Sequence, residues 1–75
     1  MNIESELQNI FDEVFEDKVI INRQTKKIDV EEWDSLVHIL LVNEIESRFK
    51  IKISMDESMK IKTIGDLIDC ISNKI

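Results

Sequence analysis

Three stretches of this chain repeat their apolar residues at the helical period. The connection between the first two has no period of either kind. Ile3, Leu7, Ile10, Phe11 and Val14 fall on one face of a helix over 3 to about 15, with Phe15 at the edge of the stripe. Glu4, Glu6, Asp12 and Glu13 fill much of the remainder, and the early acids suit a helix N-terminus. A last helix is expected from about 64 to 74, with Ile64, Leu67, Ile68, Ile71 and Ile75 on one face and Cys70 off it. Thr63-Ile64-Gly65-Asp66 opens it as a capping box in which Asp66 replaces the usual Glu or Gln.

The middle helix, 35 to 49, is the unusual one. On a helical wheel His38, Leu41, Val42, Ile45 and Phe49 share one direction, while Leu36, Leu40, Asn43 and Ser47 share the opposite one. Val37 and Glu44 lie between. A helix apolar on two sides is either buried all round or has a second partner. In a chain of 75 residues complete burial is implausible, so Leu36 and Leu40, with Val37 beside them, are expected to form an exposed contact patch.

The connections complete an all-α reading: a small four-helix bundle, three main helices plus a short third one, in a single domain over 1–75. Residues 16–33 form a long crossover in which Val19, Ile20, Ile21, Ile28 and Val30 are scattered among polar residues. A strand at 19–22 is conceivable but has no evident partner. A loop this long needs a reason, and here the apolar residues are expected to pin it across the helices. Residues 50–55 alternate like a strand too short and isolated for a sheet, and are read as an extended connector with Ile51 or Ile53 turned inward. The short helix is expected over 56–61, with Asp56 as its cap and Met59 and Ile61 packing.

Bulk properties narrow the function. Net charge is −6 with a pI near 4.6. Nucleic-acid binding needs Lys and Arg against phosphates, so nucleic acid and anionic membrane surfaces are disfavoured. Acidity favours partners with basic patches, or simply aids solubility. One cysteine and one histidine leave no disulfide framework and no multi-cysteine or histidine metal site. Glu31, Glu32 and Asp34 do not have the spacing of an EF-hand loop. No apolar stretch is long enough to span a bilayer, and Met-Asn-Ile-Glu-Ser-Glu does not resemble a signal peptide. A cytoplasmic monomer is expected. The absence of proline and the richness in Ile, Lys and Asn suggest an AT-rich bacterial genome.

No catalytic constellation stands out. Ser35 has no histidine clearly in reach, because His38 turns toward the core, where it is expected to bond to the crossover. Trp33 is expected to fill the gap between crossover and helices, and Cys70 to be a small packing residue. Ser35 at a helix start would, if it carried a phosphate, place it near free backbone N–H groups and the positive end of the dipole. From the tetrapeptide Trp33-Asp34-Ser35-Leu36 alone an ordinary Asp/Ser helix cap is the stronger reading, because such caps are common.

A wider pattern separates these two readings. Trp33-Asp34-Ser35-Leu36, then a helix ending Ile45-Glu46-Ser47-Arg48-Phe49, then Ile51-Lys52-Ile53, then Ile61-Lys62-Thr63-Ile64-Gly65-Asp66-Leu67-Ile68-Asp69 resembles the acyl carrier protein family. The resemblance covers about 33 to 71, and the first helix agrees in pattern. It implies that Ser35, within the motif Asp34-Ser35-Leu36, receives phosphopantetheine from coenzyme A through a separate magnesium-dependent phosphopantetheinyl transferase. The arm's thiol would carry an acyl or aminoacyl group as a thioester, and the carrier would catalyse nothing. The family's recognition helix places Leu36, Val37, Leu40, Asn43 and Glu44 at the partner interface. The implied partners, besides that transferase, are an acyl- or aminoacyl-loading ligase and a downstream transferase or synthase. A sheltered acyl chain would enter near Val42, Ile45, Ile61 and Leu67.

The departures carry information. Fatty-acid carriers usually have Gly and a small or aliphatic residue where this chain has Glu32 and Trp33, are typically acidic at the positions of Val37 and Leu40, and often have Pro at Ser54. Loss of two charges from the docking helix weakens the case for basic fatty-acid enzymes. The form with Trp33 and His38 resembles stand-alone carriers of specialised pathways, such as D-alanyl carriers, small-acid carriers of natural-product clusters and carriers of surface-polysaccharide loci. An unmodified helical adaptor binding through the second helix is the alternative.

Overall fold

The computed structural model describes residues 2–75. Four α-helices follow one another: α1 (Ile3–Val14), α2 (Ser35–Phe49), α3 (Met55–Met59) and α4 (Ile64–Ser72), with one 3-10 turn (Lys27–Asp29) inside the crossover. The stripes read from the sequence become the core. Leu7, Ile10 and Phe11 of α1, Leu41 and Ile45 of α2, and Ile64, Leu67 and Ile71 of α4 are all but completely buried. Each such side chain contributes about 1.5–3 kcal/mol by leaving water.

Local chemistry sets the helix starts. Asn2 accepts from the Ser5 amide at 3.1 Å and begins α1. Asp34 accepts from the Val37 amide at 2.9 Å and begins α2. At α4 the expected capping box forms in both directions: the Asp66 amide donates to Thr63 Oγ1 at 3.1 Å, and the Asp66 carboxylate accepts from the Thr63 amide at 3.1 Å. The end of α2 is less ordinary, because Lys50 takes a left-handed conformation (φ 58°) that usually calls for glycine. The Lys50 and Ile51 amides both return to the Glu46 carbonyl.

Three details of the last third differ from expectation. The cap of α3 is Ser54, not Asp56, and the helix is Met55–Met59; Ser54 and Glu57 form a reciprocal capping box that encloses Asp56. Glu57 accepts from the Ser54 amide and pairs with Lys74, which hold its carboxyl down at about 2. Met59, at the last position of α3, is exposed rather than packing, whereas Ile61, two residues past the end of the helix, is buried. Ile75 is also exposed: α4 stops at Ser72, so the helical period no longer carries Ile75 onto the buried face.

The crossover is ordered, and its backbone finds partners on other elements. No strand forms at 19–22. Instead Gln8 on α1 reaches across to it, donating to the Val19 carbonyl at 2.7 Å and accepting from the Ile21 amide at 3.0 Å. Further along, the Lys27 amide donates to the Lys62 carbonyl, and the Ile64 and Gly65 amides donate to the Thr25 and Arg23 carbonyls, at 2.8–3.0 Å. Lys26 and Thr63 thereby make an isolated antiparallel bridge. Gly65 permits this approach, since a methyl there would lie 3.1 Å from the Arg23 carbonyl oxygen. Finally Glu32 accepts from the Glu16 and Asp17 amides at 3.0 and 2.8 Å, tying the exit of the crossover to its entrance.

Gln8→Ala is expected to destabilise the fold by about 1–3 kcal/mol, the effect of leaving part-buried backbone groups unpaired. Chemical denaturation reads the loss. Amide exchange at Ile21 should accelerate with it, and unchanged exchange there would show that Gln8 does not hold the segment.

Candidate functional site

Ser35 is the first residue of α2 and is exposed. Its position follows from its neighbours. Asp34 caps the helix through its side chain, and the Asp34 carbonyl accepts from the His38 amide at 2.9 Å. The Trp33 amide donates to the Val30 carbonyl at 3.0 Å, closing the turn that delivers the chain to the helix. The serine thus stands at a helix start whose first N–H groups point outward.

Trp33 anchors this corner, filling the gap as expected. It is 4% exposed and packs edge-on against Phe11 (centroids 5.3 Å, 84°) and Phe15 (6.3 Å, 89°), which are themselves stacked. Its indole N–H donates to His38 Nδ1 at 3.0 Å. His38 Nε2 lies 3.0 Å from the Ser58 carbonyl and donates to it, so the proton resides on Nε2. His38 therefore bonds to the last residue of the crossover, as expected, and also to α3, which joins the Ser35 corner to an element twenty residues further on. Burial pushes the imidazole below its ordinary 6.5, the Ser58 carbonyl acts the other way, and Lys27 and Lys62 nearby push it further down.

Along α2 the outward face is apolar. Leu36 and Leu40 are 67% and 51% exposed. Asn43 is exposed beside them. Val37 is half-buried and rests partly on the core. Glu44 is also half-buried and turns toward Arg48 at 3.6 Å, where Glu6 and Glu13 of α1 also gather. Ile39, 57% exposed, completes the patch and was not among the residues singled out from sequence. Its signal was the spacing i+3 from Leu36, which places the two side by side on a helix. Met55 and Met59 of α3 add two more exposed apolar side chains, 77% and 67%.

Two grooves flank this corner. One, of about 170 Å³, runs between α2 and α3 past Ile39, Val42, Asn43, Ile53 and Met55. Ile45, Ile61 and Leu67, expected beside Val42 around an acyl chain, are closed into the core. The other, of about 630 Å³, lies on the crossover side between Lys27, Val30, Trp33, Asp34 and Lys62. Glu32 faces the backbone of 16–17, and among the described residues no three acidic, histidine or cysteine side chains are gathered to hold a metal. None of the described helices is long and apolar enough to cross a membrane.

Residues 5–71 match the family model for the phosphopantetheine attachment site. The fold is similar to the solution NMR structure of a holo acyl carrier protein from Geobacter metallireducens, with a TM-score of 0.88 and 37% identity over 99% of this chain and 86% of that one. The chain belongs to the acyl carrier protein family. It is a non-catalytic carrier whose cofactor is phosphopantetheine, attached covalently by a separate phosphopantetheinyl transferase.

The His38 arrangement has a pH consequence. A histidine whose folded value lies below 6.5 contributes stability that is full above 6.5 and lost as pH falls through the folded value. Protonation puts a proton on Nδ1, where the Trp33 N–H now donates. The unfolding free energy is expected to drop as pH falls below the ordinary histidine value of 6.5. His38→Gln should flatten that slope; an equal slope in the variant would assign it to another group.

Proposed function

We propose that Ser35 is the residue that takes the phosphopantetheine, and that the holo-protein presents acyl or aminoacyl thioesters to the enzymes of a dedicated biosynthetic pathway. One observation carries the assignment: within the matched region Ser35 stands exposed at the first position of α2, with Asp34 capping the helix behind it and Leu36 exposed beside it. A phosphate on its hydroxyl lies against the positive end of α2. Transfer leaves adenosine 3′,5′-bisphosphate and joins the arm to Oγ as a phosphodiester.

The character of α2 supports the dedicated pathway. Its outward surface is built from Leu36, Ile39 and Leu40, with Val37, Asn43 and Glu44 at the margins, and its first turn holds no acidic residue. Glu44 is drawn toward Arg48, which lessens its availability to a partner's cation. An enzyme docking here gains by covering apolar side chains more than by pairing charges, and its own face should be correspondingly apolar. The loading ligase and the downstream transferase or synthase are the partners that this surface serves.

Incubation of the apo-protein with coenzyme A, magnesium and a broad-specificity phosphopantetheinyl transferase should add one phosphopantetheine mass to the wild type and none to Ser35→Ala. No gain on the wild type, or an equal gain on the variant, would overturn the assignment; the first outcome would point instead to an unmodified helical adaptor.

Leu40→Glu should leave helicity intact, since Leu40 is half exposed. It should reduce the catalytic efficiency of the cognate loading enzyme by about tenfold, equivalent to roughly 1.4 kcal/mol of lost binding. Circular dichroism and loading kinetics measure the two effects, and a collapsed fold would show that Leu40 supports the core.

A further inference from the structure

We propose that the groove on the crossover side of α2 is a docking site for the phosphopantetheine arm itself. The inference rests on attachment at Ser35 and adds where the arm lies. Asp34 lines the groove and immediately precedes Ser35, so the groove opens one residue from the tether. Its 630 Å³ is within the range of about 300–1,000 Å³ typical of sites for small organic ligands.

The lining matches the arm's chemistry in two respects. The chain is acidic overall, with sixteen Asp and Glu against ten Lys and Arg, yet Lys26, Lys27 and Lys62 all border this groove. A phosphodiester anion suits these three cations, even beside Asp34 and Glu31. The proximity of two of them to the start of α2 is independently visible, because Lys27 and Lys62 both act on His38. Besides its charged residues the groove has an apolar lining: Val30, the nearly buried Trp33, and Ile28, which is 88% exposed and contributes nothing to the core. The geminal methyl groups of the pantoyl unit, next to the phosphate, are the part of the arm that such a wall would cover.

The site is also held in place. Its two sides are joined by the Lys26–Thr63 bridge and the bond from the Lys27 amide to the Lys62 carbonyl, so the groove persists without the arm. The groove between α2 and α3 is smaller and carries Glu46 and no lysine, so it offers the phosphate no cation.

The test uses isotope-labelled protein converted to the holo form, with complete modification first verified by mass. Holo-minus-apo spectra should shift the signals of Ile28, Val30 and the 62–63 amides. The pantoyl methyls should show nuclear Overhauser contacts to the Ile28 and Val30 methyls. Ile28→Asp and the double variant Lys27→Glu, Lys62→Glu should each take the full mass and lose those contacts. Shifts confined to 34–37 without arm contacts would overturn the proposal, as would contacts to Ile39 and Met55. No mass gain would instead remove the attachment reading, and this inference with it.

Discussion

A backbone without helical hydrogen bonds must find partners elsewhere, and the whole fold depends on how the segment between α1 and α2 finds its own. Gln8 serves the first part as a substitute strand, carrying both a donor and an acceptor in one side chain. The middle part bonds to the α3–α4 junction, where the absence of a side chain on Gly65 lets two backbones approach. Glu32 then closes the segment on its own entrance. Without these bonds the helices would still have apolar faces, but nothing would place the start of α2 relative to the rest.

The consequence for function is positional. The crossover ends in Trp33, whose ring is clamped by two phenylalanines and whose N–H is taken by His38. His38 passes the connection to α3. The serine two residues beyond Trp33 is thereby fixed on its helix while remaining exposed. A carrier needs this combination: its tether must be accessible to a succession of enzymes and must always be found in the same place. The segment that fixes the serine also builds one wall of the groove beside it, which links the fold's least regular part to its chemistry.

The helices were legible because their determinants are local. The boundaries of α2 and the reciprocal caps at Thr63 and Asp66 follow from residues within one turn of each other. The departures from the sequence reading are local too. Ser54 rather than Asp56 caps α3 because Glu57 returns its bond, Met59 at the last position of α3 faces solvent, and Ile75 lies beyond the end of α4. Of the site, the serine corner and the outward leucines were legible, while Ile39 is marked in the sequence only by its i+3 spacing from Leu36.

The amino-acid sequence by itself determined the helical period of the three main helices, their caps, and the motif that marks a carrier, since each depends on groups a few residues apart. Tertiary structure alone decided the path of the crossover, the second partner of His38 and the groove walled by Lys26, Ile28 and Lys62. The physical reason is range. The bond from His38 to Ser58 spans twenty positions and the pair Arg23–Asp69 forty-six. Neither leaves a periodic trace in the chain, because a hydrogen bond between distant residues requires only that each be polar and that the core bring them together.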